Sequence, residues 1–237
     1  MLIVATVPHS TENRYSPLFD DTPEPDWIDS LGKEYEIVNL YFKPYAACRW
    51  AQPAVEAALQ VIRAHKLSIE NLADITIRTF REAAALDCGY PQTTEAAQYN
   101  LSFPLAMAIL DGEVGPRQVL PPRMLAPDVR EMMDKIQVAV NPQLQHKFPA
   151  ETLAEAVITT TDGKTLESGI TSARWEPPNI PSDDELVEKF HTLVDPVIGS
   201  ETARTIESMI WEFERCDSVR SLIRQRIAPR LKPGLTD

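Results

Sequence analysis

Lys43, Cys48 and Arg49 lie close together in the stretch Phe42-Lys43-Pro44-Tyr45-Ala46-Ala47-Cys48-Arg49-Trp50-Ala51-Gln52-Pro53. An ammonium, a thiol and a guanidinium on one loop suit the chemistry of a small anionic substrate. Lysine can stabilise developing negative charge, arginine can fork onto a carboxylate, and a cysteine of lowered pKa beside two cations can carry a proton. Each residue also has a plainer reading. A lone lysine at a turn is usually solvated, a free cysteine is usually a small buried hydrophobe, and Arg49 could pair with Glu56 or with an acid on a neighbouring element. Tyr45 either packs or points its hydroxyl into the site. Gln52 can hydrogen-bond but cannot exchange protons near neutral pH.

The elements that must hold this loop are legible from periodicity. Val55, Leu59 and Ile62 recur at i, i+4, i+7, which predicts an amphipathic helix over 52–65 with Pro53 tolerated in its first turn. Ile75 and Ile77 alternate with Thr76 and Arg78 as in a half-buried strand. Residues 94–110 are Ala-rich and apolar and predict a helix broken or kinked near Pro104; Val129, Met132, Met133 and Ile136 predict another. Asp162-Gly163 between the strand-like runs 154–161 and 165–168 predicts a tight hairpin. The proline-rich segment 175–182 predicts an extended connector, followed by two or three short amphipathic helices over 183–193, 201–213 and after the cap candidate Asp217. The class is α+β.

Composition narrows the partners. A net charge of -12 over 237 residues, with no basic patch, argues against nucleic acid. An anionic metabolite must then be drawn by a few local cations. No apolar run approaches a membrane span, and the amino terminus lacks a secretory pattern, so a cytoplasmic setting is expected. Cys48, Cys88 and Cys216 are odd in number and widely spaced, which predicts reduced thiols. His9, His65, His146 and His191 show no metal-ligand spacing, and no metal is assigned.

The Lys43 stretch resembles the "KPYPxCRxxHP" loop of the MmgE/PrpD family, the cofactor-independent enzymes that include 2-methylcitrate dehydratase, cis-aconitate decarboxylase and iminodisuccinate epimerase. Leu31-Gly32-Lys33-Glu34-Tyr35-Glu36-Ile37, Asp74 to Thr79, Ala97 to Pro104 running into Leu110-Asp111-Gly112, and Glu188-Lys189-Phe190 follow in the family's order. The resemblance spans roughly residues 20 to 215 and corresponds only to the carboxy-terminal half of a typical member. It implies that 1–34 lead into a lid, that 35–176 form the α+β lid domain, and that 177–237 form the connector and the helices that return to a helical domain. That helical half is expected to be a separately encoded partner, in a heterodimer or a dimer of heterodimers. A homomer stays open as well.

By the same resemblance Lys43 and Cys48 are the expected catalytic residues, and Arg49, Tyr45, Gln52, Asn100 and Phe103 the expected substrate-binding ones; no cofactor is implied. Gln52 stands where the family commonly has histidine, Ala46 where it has proline, and Asn100 and Phe103 where it has serine and tyrosine. These departures leave three readings. The chain is the lid subunit of a split lyase or isomerase acting next to a carboxyl group, an isomerase or cyclase of specialised metabolism with a less polar substrate, or a non-catalytic scaffold.

Overall fold

The computed structural model describes residues 30–35, 37, 40–176, 179–215 and 218–221. The readings placed on Met1 to Val7, His9, Glu36, Pro177-Pro178, Cys216, Asp217, Leu222 and Ile223 lie outside them. The chain divides between Ile180 and Pro181 into two compact units.

The first unit is built on a sheet whose central strands are β1 (Leu72–Thr79) and β3 (Leu153–Thr160), paired antiparallel. Its order is β2-β1-β3-β4, with β2 (Ile136–Val140), β4 (Thr165–Glu167) and a short β5 (Thr171–Ser172) that also pairs with β3. Ile75, Ile77, Ala156 and Ile158 point to the covered face and are buried, while Asp74 and Arg78 point out. That alternation is what a sheet with one solvated face requires. Helix α1 (Gln52–His65) lies on β3 and β1, burying Val55, Leu59 and Val61, and the short α2 (Arg81–Ala84) follows β1. It ends as its residues dictate, with Arg63 and His65 in the last turn facing the negative end of the dipole and Lys66 in the left-handed region at φ 51°.

Two departures from the sequence reading have clear causes, and the expected hairpin forms. The stretch 94–110 forms two helices, α3 (Thr94–Gln98) and α4 (Ser102–Asp111), with the break at 99–101 and not at Pro104. Pro104 is the third residue of α4, where a backbone N–H has no intrahelical acceptor, so its missing donor costs nothing. Ile136, read as the end of a helix, instead opens β2, which runs parallel to β1 in the register Ile75 to Ile136; the preceding helix, α5, is Pro127–Met133. The hairpin between β3 and β4 closes through Thr160 N donating to Lys164 O (2.9 Å), and Gly163 takes φ +83°, a conformation other residues adopt only at a cost.

In the second unit, α6 (Asp183–Ile198) and α7 (Ser200–Trp211) form a helical hairpin. Ser182 and Glu185 make a reciprocal capping box at the start of α6. His191 joins the two helices, with Nδ1 at 2.8 Å from Asp195 Oδ1 and Nε2 at 3.1 Å from Glu207 Oε2. Both ring nitrogens face carboxylates, first Asp195 and then Glu207, which raises the pKa of His191 and lowers that of Asp195. A raised histidine contributes fully below its unfolded value of 6.5 and is lost as pH rises through its folded value; a depressed aspartate contributes fully above 3.8 and is lost as pH falls. Hydrogen-exchange protection of the hairpin is therefore expected to be highest between those two limits and to fall as pH rises past the histidine's folded value, a fall that His191→Gln removes.

Candidate active site

The loop from Phe42 to Ala51 is held at five points, and each anchor fixes a different part of it. Ala46 N donates to Val114 O and Cys48 N to Gln98 O, both at 2.7 Å. Trp50 meets Phe80 and Phe148 edge-on at centroid distances of 6.1 and 5.7 Å, and those two rings stack at 4.4 Å. Tyr45, buried, donates its hydroxyl to Glu56 Oε1 on α1 at 2.7 Å. Arg49 Nε donates to Glu176 Oε1 at 2.5 Å.

Within this frame Lys43 Nζ donates to the carbonyl of Ala47 at 3.0 Å, and buried Gln52 donates its Nε2 to the same oxygen at 3.1 Å. Burial pulls Lys43 below the ordinary lysine range, opposed by the nearby Cys48. Its ammonium is thus less well hydrated than a surface lysine, and the proton is easier to give up.

Two readings of Cys48 stood open, a thiol of lowered pKa beside Lys43 and Arg49 and a small buried hydrophobe. Burial dominates and pushes the thiol up, with the backbone of Trp50, the charge of Lys43 and the backbone of Ala51 opposing. Cys48 is a half-buried thiol, suited to donate a proton and not to act as a thiolate.

Arg49 follows its plainer reading, since its partner is an acid on a distant element. Glu176 is 7% exposed and also accepts from Thr152 Oγ1 at 3.0 and 3.2 Å. Burial would lower the Arg49 pKa, but the Glu176 bond and charge outweigh it and raise it. The guanidinium also lies 4.8 Å from the Tyr41 ring centroid.

Lys43, Tyr45, Cys48, Arg49 and Gln52 are thus brought together. Asn100 and Phe103 serve the fold. Asn100 donates Nδ2 to Gly89 O at 2.9 Å and accepts from Phe103 N at 2.8 Å, which starts α4, while the Phe103 ring is fully buried in the core. Phe103→Tyr is expected to destabilise by about 2 kcal/mol through overpacking and an unmet hydroxyl, with no gain in activity, as a denaturation midpoint and a turnover assay would read. Sequence reasoning missed Glu176 and Thr152, because neither carries a local signal, Glu176 meets Arg49 across 127 residues of chain, and Thr152 acts through Glu176.

Residues 45–215 match the family model described as the MmgE/PrpD C-terminal domain. The chain belongs to the MmgE/PrpD family. The match to that MmgE/PrpD domain takes in most of the α+β unit and the loop from Tyr45 onward, and it begins just after Lys43. The chain is also similar to the cis-aconitate decarboxylase-like protein oryM of Aspergillus oryzae (strain ATCC 42149 / RIB 40), 25% identical over 204 residues. That alignment takes in 82% of this chain and 42% of the relative, so the chain spans less than half of the relative's length. Among the described residues of this MmgE/PrpD chain no helix is long and apolar enough to cross a membrane, and no cluster of His, Cys, Asp and Glu could hold a metal ion.

Proposed function

We propose that this chain is the lid subunit of a split, cofactor-independent lyase or isomerase that moves a proton next to a carboxyl group of a small polycarboxylate. The observation that carries the reading is Lys43, a half-buried amine just ahead of the matched family domain, seated on the carbonyl of Ala47 within it. Loss of a proton or of carbon dioxide beside a carboxyl group leaves a carbanion or aci-carboxylate, and Lys43 stabilises that charge. Cys48 donates or returns the proton, while Tyr45 holds the loop from within the fold and Arg49, partly exposed, holds it and contacts the substrate. Within the loop Gln52 cannot exchange a proton and Cys48 is held as a thiol, so the general base comes from a separately encoded, all-helical half that completes the site in the cytoplasm.

The less polar substrate reading rested on the polar groups lost at Gln52 and Phe103. Both side chains are buried in the fold, which leaves it without a specific support. Native mass measured with and without the product of the neighbouring gene tests the proposal. A stable hetero-oligomer with an all-helical chain is the expected result; a well-folded homomer that ignores the neighbour would overturn it.

A further inference from the structure

We infer that Glu176 is a positioning residue for Lys43: with Thr152 it grips Arg49, and through Arg49 it fixes the Ala47 carbonyl on which the lysine is seated. The inference rests on the reading of Lys43 as the acting residue.

Three observations carry it. First, Glu176 is buried and engaged on both oxygens, accepting from Arg49 Nε on Oε1 and from the single hydroxyl proton of Thr152, whose Oγ1 lies within hydrogen-bond distance of both. A buried carboxylate with that many partners is rigid, because leaving it without any one of them exposes a desolvated charge.

Second, the residue before it, Trp175, is a buried aromatic in the left-handed region at φ +67°. A bulky residue holds that conformation only where its surroundings over-determine it, and such outliers gather at functional positions. Its effect here is visible in its two neighbours. Arg174 lies 5.9 Å from the Tyr45 ring centroid and 3.7 Å from the Glu56 carboxylate that takes the Tyr45 hydroxyl, whereas Glu176 turns to Arg49. One strained residue therefore aims a cation and an anion at opposite ends of the segment Tyr45 to Arg49.

Third, the middle of that segment is Ala47, whose carbonyl accepts from both Lys43 and Gln52. Releasing either end moves the oxygen that seats the lysine. Nothing in the chemistry of proton transfer requires Glu176 itself to meet the substrate, so its role is exercised through Arg49 and the loop.

The test reads the Lys43 amine directly. In full-length chain carrying 13C-methylated lysines, with the Lys43 signal assigned from Lys43→Arg, the amine is titrated in the wild type and in Glu176→Gln. Removing a negative charge would by itself lower a neighbouring amine, whereas releasing the loop into water raises it. The expected result is a rise of about one pH unit toward the ordinary lysine range. Thr152→Val, which leaves the charge in place, is expected to move the signal the same way by less, and it stands in if Glu176→Gln does not fold. An amine that stays put or titrates lower in the folded variants would overturn the inference. Because the titration needs no substrate, the two readings fail separately. If Lys43 proves dispensable for turnover while its amine follows Glu176, the clamp stands and the functional proposal falls; if Lys43 is essential and its amine ignores Glu176, the clamp falls.

Discussion

Replacing Lys43 by alanine is expected to lower kcat of the complete assembly by at least about a hundredfold, the scale found when one preorganised charge is removed from a developing anion. KM should change less, because the group acts on charge that appears in the transition state. Stability should barely move. Its hydrogen bond to Ala47 O is worth about 1 kcal/mol, and Gln52 still holds that oxygen. Steady-state kinetics beside a denaturation curve reads both effects. A scaffold subunit predicts the opposite pattern, with turnover untouched by Lys43→Ala.

The largest effect on stability is expected at Phe80. Its ring is fully buried, stacked on Phe148 at 4.4 Å and met edge-on by Trp50. Phe80→Ala removes the wall against which the end of the Lys43 loop rests, and a truncation of this kind in a packed core costs about 3–5 kcal/mol. In a unit of this size that corresponds to a fall in Tm of roughly 10 °C. Because Trp50 directly follows Arg49, activity should fall at temperatures where the variant is still folded. A thermal melt paired with a rate measured well below the midpoint separates the two contributions.

The parts of this fold that the sequence discloses are those set by local rules. The helix from Gln52 to His65 is written in Val55, Leu59 and Ile62, and the turn at Gly163 in a residue that tolerates positive φ. The second strand was opaque for a physical reason: β2 is a parallel edge strand with only Ile136 buried, so it lacks the alternation that marks a half-buried strand. The break in the 94–110 helix was misplaced because proline was read as a breaker, whereas in the first turn it has no bond to lose. In the candidate site, the loop residues can be proposed from sequence because chemistry and chain order coincide there. Glu176, which steadies Arg49, sits in a proline-rich run that reads only as a connector, and no local pattern says what an isolated acid will meet across the fold. The direction of the Cys48 shift was equally hidden, since it turns on burial outweighing the charge of Lys43 and the backbone hydrogen bonds of Trp50 and Ala51.

The most direct test of the central claim is exchange of substrate hydrogen into heavy water, followed by NMR on a set of small polycarboxylates, for this chain alone and for the chain co-purified with an all-helical family half. The account predicts deuterium at the carbon next to a carboxyl group only with the assembled pair. Equal exchange by the chain alone would contradict a shared active site.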